Sequence, residues 1–214
     1  MQSEFWHERW QLQQIAFHQA EVHPLLAKLW PRLNPQAGDG VFVPMCGKTL
    51  DMRWLQEQGQ RVVGVELSPL AVDAFFAEAG VTPVRTPHGA LESVQAGDVT
   101  VYCGDFFALK PEDVAGCQLI YDRGSLIALP PQMRRDYVIH LRKLFPGGAR
   151  ILLVTFDYPP AEMQGPPFAV TDAEVREFYA SVELLVSEDV FAANPQMGQR
   201  GLTRLQENAY LIAF

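Results

Sequence analysis

The chain has 214 residues, 48% of them apolar and 20% charged, and its 17 Lys and Arg face 25 Asp and Glu for a net charge of −8. Such a length suits one domain with an elaboration rather than two equal domains, and such an apolar share excludes a disordered chain. The acid excess argues against nucleic acid or an anionic membrane as the main partner, because both select a surplus of cations.

Residues 4–34 read as two helices. On the first, Trp6, Trp10 and Phe17 fall within about 40° of one another at about 100° per residue, forming one apolar stripe. His23-Pro24 opens the second, which carries Leu25, Leu26 and Leu29 and which Pro31 begins to close. Beyond Asn34-Pro-Gln-Ala-Gly-Asp-Gly the character changes. Val41-Phe-Val is a short strand, Pro44-Met-Cys-Gly-Lys is a turn, and Met52, Trp54 and Leu55 lie on a helix that Gly59 can end. Arg61–Glu66 is a second strand. Ser68-Pro69 reads as an N-cap followed by proline at the first helical position, opening a helix to Gly80. Val99–Tyr102 and Gln118–Asp122 are the third and fourth strands, 134–145 is helical, and 150–156 is a nearly all-apolar fifth strand. Thr171-Asp-Ala-Glu174 is a capping box that starts another helix, and the stretches 182–191 and 205–214 are β-rich.

Alternating strands and helices with apolar strands imply a parallel sheet covered on both faces. The last two β stretches have no long helix between them and are expected to pair antiparallel at one edge. No linker divides the chain. One domain over 1–214 is expected, with residues 1–35 as an N-terminal elaboration. The three cysteines, Cys46, Cys103 and Cys117, are widely spaced and form no C-x-x-C. They suggest neither a disulfide framework nor a structural zinc site and fit the reducing cytoplasm. His7, His23, His88 and His140 show no ligand spacing, and no metal is expected. No signal peptide is expected from MQSEFWHERW, and the apolar runs fall far short of the ~20 residues that span a bilayer.

In an open α/β sheet, ligands bind beyond the carboxyl ends of the strands. Here those ends carry Pro44-Met45-Cys46-Gly47-Lys48, Glu66, Gly104-Asp105-Phe106-Phe107 and Asp122-Arg123-Gly124-Ser125. Glu66 stands 19 residues beyond Gly47. An acid about 20 residues past the first strand–helix turn is where such folds accept the hydroxyls of a ribose; alone, it is also a common way to end a strand. No G-x-G-x-x-G is present, and Phe42 stands where a P-loop would need its first glycine. A pyrophosphate needs that glycine-rich turn, so a nucleoside cofactor without phosphates fits better, and S-adenosylmethionine is the common one.

At these residues the sequence resembles the thiopurine S-methyltransferase family, especially its bacterial members. The matching segments are Phe5-Trp6-x-x-Arg9-Trp10 with Ala16-Phe17-His18, Val43-Pro-Met-Cys-Gly-Lys-Thr-Leu-Asp-Met52, Val62-Val-Gly-Val-Glu-Leu-Ser68, Gly104-Asp-Phe-Phe107 and Tyr121-Asp-Arg-Gly124. Met133-Arg134, Asp157-Tyr158, Gly165-Pro-Pro-Phe168 and Gly201-Leu-Thr203 follow in the family's order. The resemblance spans nearly the whole chain.

It implies a Rossmann-like class I methyltransferase fold: a seven-stranded, mostly parallel sheet with an antiparallel edge strand, helices on both faces and an N-terminal helical cover. It also implies S-adenosylmethionine as methyl donor and S-methylation of small thiols, thiopurine-type heteroaromatics first, with selenium or tellurium species as further soft nucleophiles. Trp10, Met45, Glu66, Asp105, Phe106 and Arg123 would bind the cofactor, and Phe17 and Arg123 the substrate. Met45 stands where the family often has leucine, and Gly124-Ser125-Leu126 where it often has Ala-Leu. No obligatory proton acceptor is expected. Cys46 reads as a small residue in a tight turn rather than a nucleophile. His18, Arg200 and Arg204 are open candidates for the substrate pocket. The Trp6, Trp10 and Phe17 stripe equally suits a helix that simply packs on the sheet. The protein is expected to be a monomer without nucleic-acid or membrane partners. Two other readings stay open: a small-molecule O- or N-methyltransferase on the same fold, and a nucleoside-binding sensor without turnover.

Overall fold

The computed structural model describes residues 3–214, so Met1 and Gln2, the first residues of the expected N-terminal elaboration, lie outside the described residues. The strands are β1 (Gly40–Val43), β2 (Arg61–Glu66), β3 (Val84–His88), β4 (Leu91–Ala96), β5 (Val99–Cys103), β6 (Cys117–Arg123), β7 (Arg150–Asp157), β8 (Ser181–Asp189) and β9 (Gln206–Ala213). They form one sheet in the order β3-β4-β5-β2-β1-β6-β7-β9-β8. The centre, β5 to β7, is parallel, and both flanks are antiparallel.

The expected seven strands are therefore nine, because a β3–β4 hairpin extends the β5 edge. The hairpin departs from the apolar pattern for a chemical reason. Val84-Arg-Thr-Pro-His is solvent-facing along nearly its whole length, so it carries no apolar alternation. Its Pro87 suits an outermost strand, which need not donate on its free side. At the other edge, β9 runs antiparallel to β7 from Arg150 opposite Ala213 to Asp157 opposite Gln206, the expected arrangement.

The helices are α1 (Ser3–Gln11), α2 (Pro24–Leu29), α3 (Asp51–Glu57), α4 (Pro69–Glu78), α5 (Pro131–Leu144), α6 (Asp172–Phe178) and α7 (Pro195–Gln199). The strand pleat divides the core between two faces. Val41 and Val43 turn to a cluster with Leu26, Trp30, Met52 and Phe75 from the α2, α3 and α4 side. Phe42 between them turns to Phe106, Tyr137, Leu141 and Val175 on the α5 and α6 side. Among the described residues no helix is long and apolar enough to cross a membrane.

Three local readings need correction. First, α1 ends at Gln11 and Gln13 takes a positive φ of 55°, so Phe17 is not on a helix with Trp6 and Trp10. The chain reverses instead and brings Phe17 edge-on to both rings, at 5.7 Å from each. Second, Ser68 has N-cap backbone geometry before Pro69, but its hydroxyl makes no cap bond and is buried without a partner. Third, half of the Thr171 box forms: Thr171 Oγ1 accepts from Glu174 N–H at 3.2 Å. The Glu174 carboxylate instead takes the fully buried Arg134 guanidinium, at 2.6 and 2.7 Å. A buried guanidinium needs such an opposite charge far more than a helix start needs a second cap.

Candidate active site

Four loops meet at the carboxyl ends of β1, β2, β5 and β6. The β1–α3 loop makes the tightest turn, with Met45 and Gly47 both left-handed at φ 45° and 54°. Cys46 N–H donates to Val65 O at 2.9 Å. Beneath it, a side chain on Gly64 would come within 2.8 Å of Cys46 Sγ and 3.1 Å of Met52 Sδ, so glycine is what lets the turn seat itself on β2. Cys46 is buried, and burial pushes its thiol well above the ordinary range. That makes it a packing group and not a thiolate nucleophile.

Glu66 closes this turn from below. Its carboxylate accepts from Gly47 N–H and from Ser68 N–H, each at 2.8 Å, which joins the β1 and β2 loops. The residue is only 6% exposed. Burial raises its pKa, while the N–H groups of Ser68, Gly47 and Leu67 pull it back. Gly104 N–H donates to Glu66 O, bringing the β5 end into the same cluster.

At the β5 end, Asp105 is exposed and accepts from Phe107 N–H at 3.0 Å. Phe106 is 4% exposed and packs against Tyr137, Phe42 and His140, so its ring is a floor and not a free edge; Phe107 is the exposed ring of the pair. At the β6 end, neighbouring side chains point to opposite sides of the strand. Asp122 turns inward, fully buried, and accepts from Tyr137 Oη at 2.6 Å and from Leu126 N–H. Arg123 therefore does not pair with it, and among the described residues Arg123 makes no ion pair or side-chain hydrogen bond. Ser125 Oγ donates to Pro44 O at 2.8 Å and ties this loop to the β1–α3 turn.

The N-terminal segment lies on top. Trp10 is 4% exposed, and its Cζ2 would stand 3.4 Å from any side-chain carbon placed on Gly47. Phe17 is 43% exposed. His18 lies between cations and an acid: burial lowers its pKa, Lys48 and Arg123 lower it further, and Glu78 opposes them. Lys48 itself pairs with Glu78 at 2.6 Å. The other two candidates are tied up elsewhere. Arg200 Nη2 donates to Pro166 O at 3.0 Å, holding the proline loop, and Arg204 pairs with Asp157 at 3.1 Å.

One important residue was not singled out from sequence. Asp51, at the head of α3, is buried and accepts from His23 N–H at 2.8 Å and from Tyr121 Oη at 3.0 Å. It fastens the root of the N-terminal segment to the sheet. Its only signal was membership of the Gly47-Lys-Thr-Leu-Asp51 block, where it reads as an ordinary acid of a first helical turn. No cluster of three or more His, Cys, Asp and Glu that could hold a metal occurs among the described residues.

The donor set suits a nucleoside carried without phosphates. One glycine stands in the turn, with an aromatic ring above it and a buried carboxylate accepting from its N–H, and the triple-glycine cradle of a pyrophosphate is absent.

The comparisons agree with this geometry. The family model described as Thiopurine S-methyltransferase (TPMT) matches residues 1–213. A protein of Nitrosospira multiformis named Thiopurine S-methyltransferase is 49% identical, over 99% of this chain and 98% of its own. One of the same name from Pseudomonas paraeruginosa is 50% identical, over 99% of both. Among solved structures, a Burkholderia thailandensis 1,6-didemethyltoxoflavin-N1-methyltransferase with bound S-adenosylhomocysteine superposes with TM-score 0.63 at 16% identity, covering 98% of this chain and 86% of that one. An S-adenosylmethionine-dependent methyltransferase from Anabaena variabilis gives 0.61 at 14%, covering 98% and 94%. At those identities they share the fold, which is the expected class I methyltransferase fold. S-adenosylmethionine is the methyl donor of the family. The chain is a methyltransferase and belongs to the thiopurine S-methyltransferase family.

Proposed function

We propose that this protein methylates the sulfur of a small heteroaromatic thiol of thiopurine type, with selenium or tellurium species as chemically similar acceptors. The observation that carries the substrate class is Arg123: a half-buried guanidinium at a strand end with no carboxylate partner among the described residues. An unpaired cation there favours an ionised acceptor and lowers the effective pKa of a bound thiol. The names of the relatives at about half identity support the same class.

When bound, S-adenosylmethionine supplies a methyl group already activated on a sulfonium. The protein's work is then alignment and exclusion of water. Glu66 accepts from the ribose hydroxyls, with its backbone partners holding it in place. Met45 lines the methionine end. Asp105 offers its carboxylate beside the adenine, and Phe106 supports that wall from beneath. Trp10 would cover the reacting centre, Phe17 would face the acceptor, and Arg123 would lie between acceptor and cofactor. No residue acts as an obligatory base, because thione-type heterocycles ionise readily. Residues 1–35 serve as the cover of a single domain spanning 1–214, working in the cytoplasm as a monomer on a small molecule, with no nucleic-acid or membrane partner.

The test is a panel of thiopurines, phenols and amines with labelled S-adenosylmethionine. Methylation confined to the thiopurines is expected. Transfer to phenols or amines instead would replace the S-acceptor reading. Cofactor binding without transfer to any of them would replace it with a sensor.

A further inference from the structure

The β3–β4 hairpin reaches the candidate site at two points. β3 is exposed from Val84 to Pro87, and only His88 at its end turns partly inward. There its Nε2 meets Asp113 Oδ1 at 2.5 Å, with the His88 side chain 42% exposed and the Asp113 side chain 2%. The imidazole also lies against the Tyr102 ring of β5, with 5.2 Å between centroids. Beyond the hairpin turn, β4 opens with Leu91. A side-chain carbon on Gly104 would stand 2.5 Å from Leu91 Cδ2 and 3.5 Å from Ala90 O, so the turn presses directly on the residue that follows β5.

Gly104 and Asp113 stand at the two ends of one loop. Between them lie Asp105, Phe106 and Phe107, on two short 3-10 helices, Phe106–Ala108 and Pro111–Val114. One side of the loop rests on α5, where Phe106 meets Tyr137 and His140, and Phe107 meets His140. The hairpin holds its ends, with Leu91 at the start and His88 at the finish. The second oxygen of Asp113 accepts from Lys110 N–H at 2.8 Å, so the carboxylate that His88 takes also closes the last turn of the loop. A buried carboxylate that loses a donor is costly, and the chain around it shifts to find another. The hairpin supplies none of the strand-end residues of the candidate site, yet it braces the loop that carries three of them.

We propose that His88 is a positioning residue: through Asp113 it holds the Gly104–Asp113 loop in the conformation that presents Asp105 to the adenine. This role rests on the reading of Asp105 as a cofactor contact, and His88 itself touches neither cofactor nor acceptor. The rival role is the fastening of an edge hairpin, with no effect at the site.

The experiment uses the full chain, with S-adenosylhomocysteine in titration calorimetry and S-adenosylmethionine with a thiopurine in steady-state kinetics. His88→Ala should weaken S-adenosylhomocysteine and raise KM for S-adenosylmethionine by about tenfold, with kcat and KM for the thiopurine within about twofold of the unaltered chain. His88→Gln carries an amide nitrogen as many bonds from Cβ as the imidazole Nε2, and should restore both values to within about threefold. Asp105→Ala should weaken S-adenosylhomocysteine in its own right. If Asp105→Ala weakens it and His88→Ala does not, the positioning role is overturned and the adenine reading stands. If Asp105→Ala leaves binding unchanged, both fall. A loss in His88→Ala that His88→Gln does not restore, or an equal rise in KM for the thiopurine, also overturns the positioning role. Should no thiopurine be turned over, the calorimetry decides alone. Should His88→Ala not fold, His88→Asn, whose amide is one bond short of Asp113, takes its place with the same expectation.

Discussion

The β1–α3 turn and the N-terminal segment meet at Trp10 and Gly47, yet they are held in opposite ways. The turn is fastened from within. Glu66 accepts from both neighbouring loops, Ser125 bonds to Pro44 O, and Cys46 is seated over Gly64. Each of these groups is buried or nearly so, so none can relax without leaving a buried polar atom unsatisfied or opening a void. The N-terminal segment is fastened at its root, where His23 N–H meets Asp51, and beyond that by rings: Trp6, Trp10 and Phe17 packed edge-on, with Phe17 and Leu12 largely exposed. Edge-on aromatic pairs contribute about 0.5–1.5 kcal/mol each beyond the area they bury. The lesson is a division of labour. On the proposed reading, the buried turn positions the cofactor and the more exposed N-terminal segment covers it.

Removing the cover tests that division most severely. Deletion of residues 1–20 spares His23 and Asp51, and should leave the melting transition of the sheet nearly unchanged while abolishing turnover. Full activity in that truncation would remove the covering role. Glu66→Gln attacks the turn instead, replacing a carboxylate oxygen by an amide that faces two backbone N–H groups. It should weaken S-adenosylhomocysteine binding about a hundredfold, or about 2.7 kcal/mol, measured by titration calorimetry. It should also lower the melting temperature, which the truncation does not. Arg123→Ala lies between the two regions and should lower kcat/KM for a thiopurine by about tenfold and move the pH profile to higher pH, because the thiol loses the cation that favours its ionised form. An unaltered profile and rate would deny Arg123 this role.

The smallest effect concerns His18 and pH. Its pKa is lowered on folding by burial and by Lys48 and Arg123. A depressed folded-state pKa means the unfolded chain binds the proton more readily. The contribution to stability is thus present above the usual 6.5 and is lost as pH falls through the lowered value. Trp10 emission, read with Trp6, Trp30 and Trp54 each replaced by Phe, should report loosening of the cover below that pH. His18→Gln should flatten the change.

The central parallel strands, the helices between them and the antiparallel close were legible because each follows apolar periodicity. The β3–β4 hairpin was not, since a strand that buries almost nothing leaves no period to read. Phe17 illustrates a subtler failure. Its helical spacing from Trp10 is coincidental to its contact with Trp10, which a chain reversal at Gln13 creates. Phe106 and Phe107 are adjacent and alike in sequence, and only the position of α5 decides that the first is floor and the second surface.

From the sequence alone follow the α/β architecture, the family and the set of strand-end residues, because these depend on local periodicity and on motifs contiguous in the chain. Which charges are already spent was settled only by tertiary structure. Arg134 goes to Glu174, Arg204 to Asp157 and Arg200 to Pro166 O, and Asp122 goes to Tyr137, leaving Arg123 unpaired among the described residues. Pairings of that kind join residues about 15 to 47 positions apart, and their energy depends on burial and distance, which a linear chain does not carry.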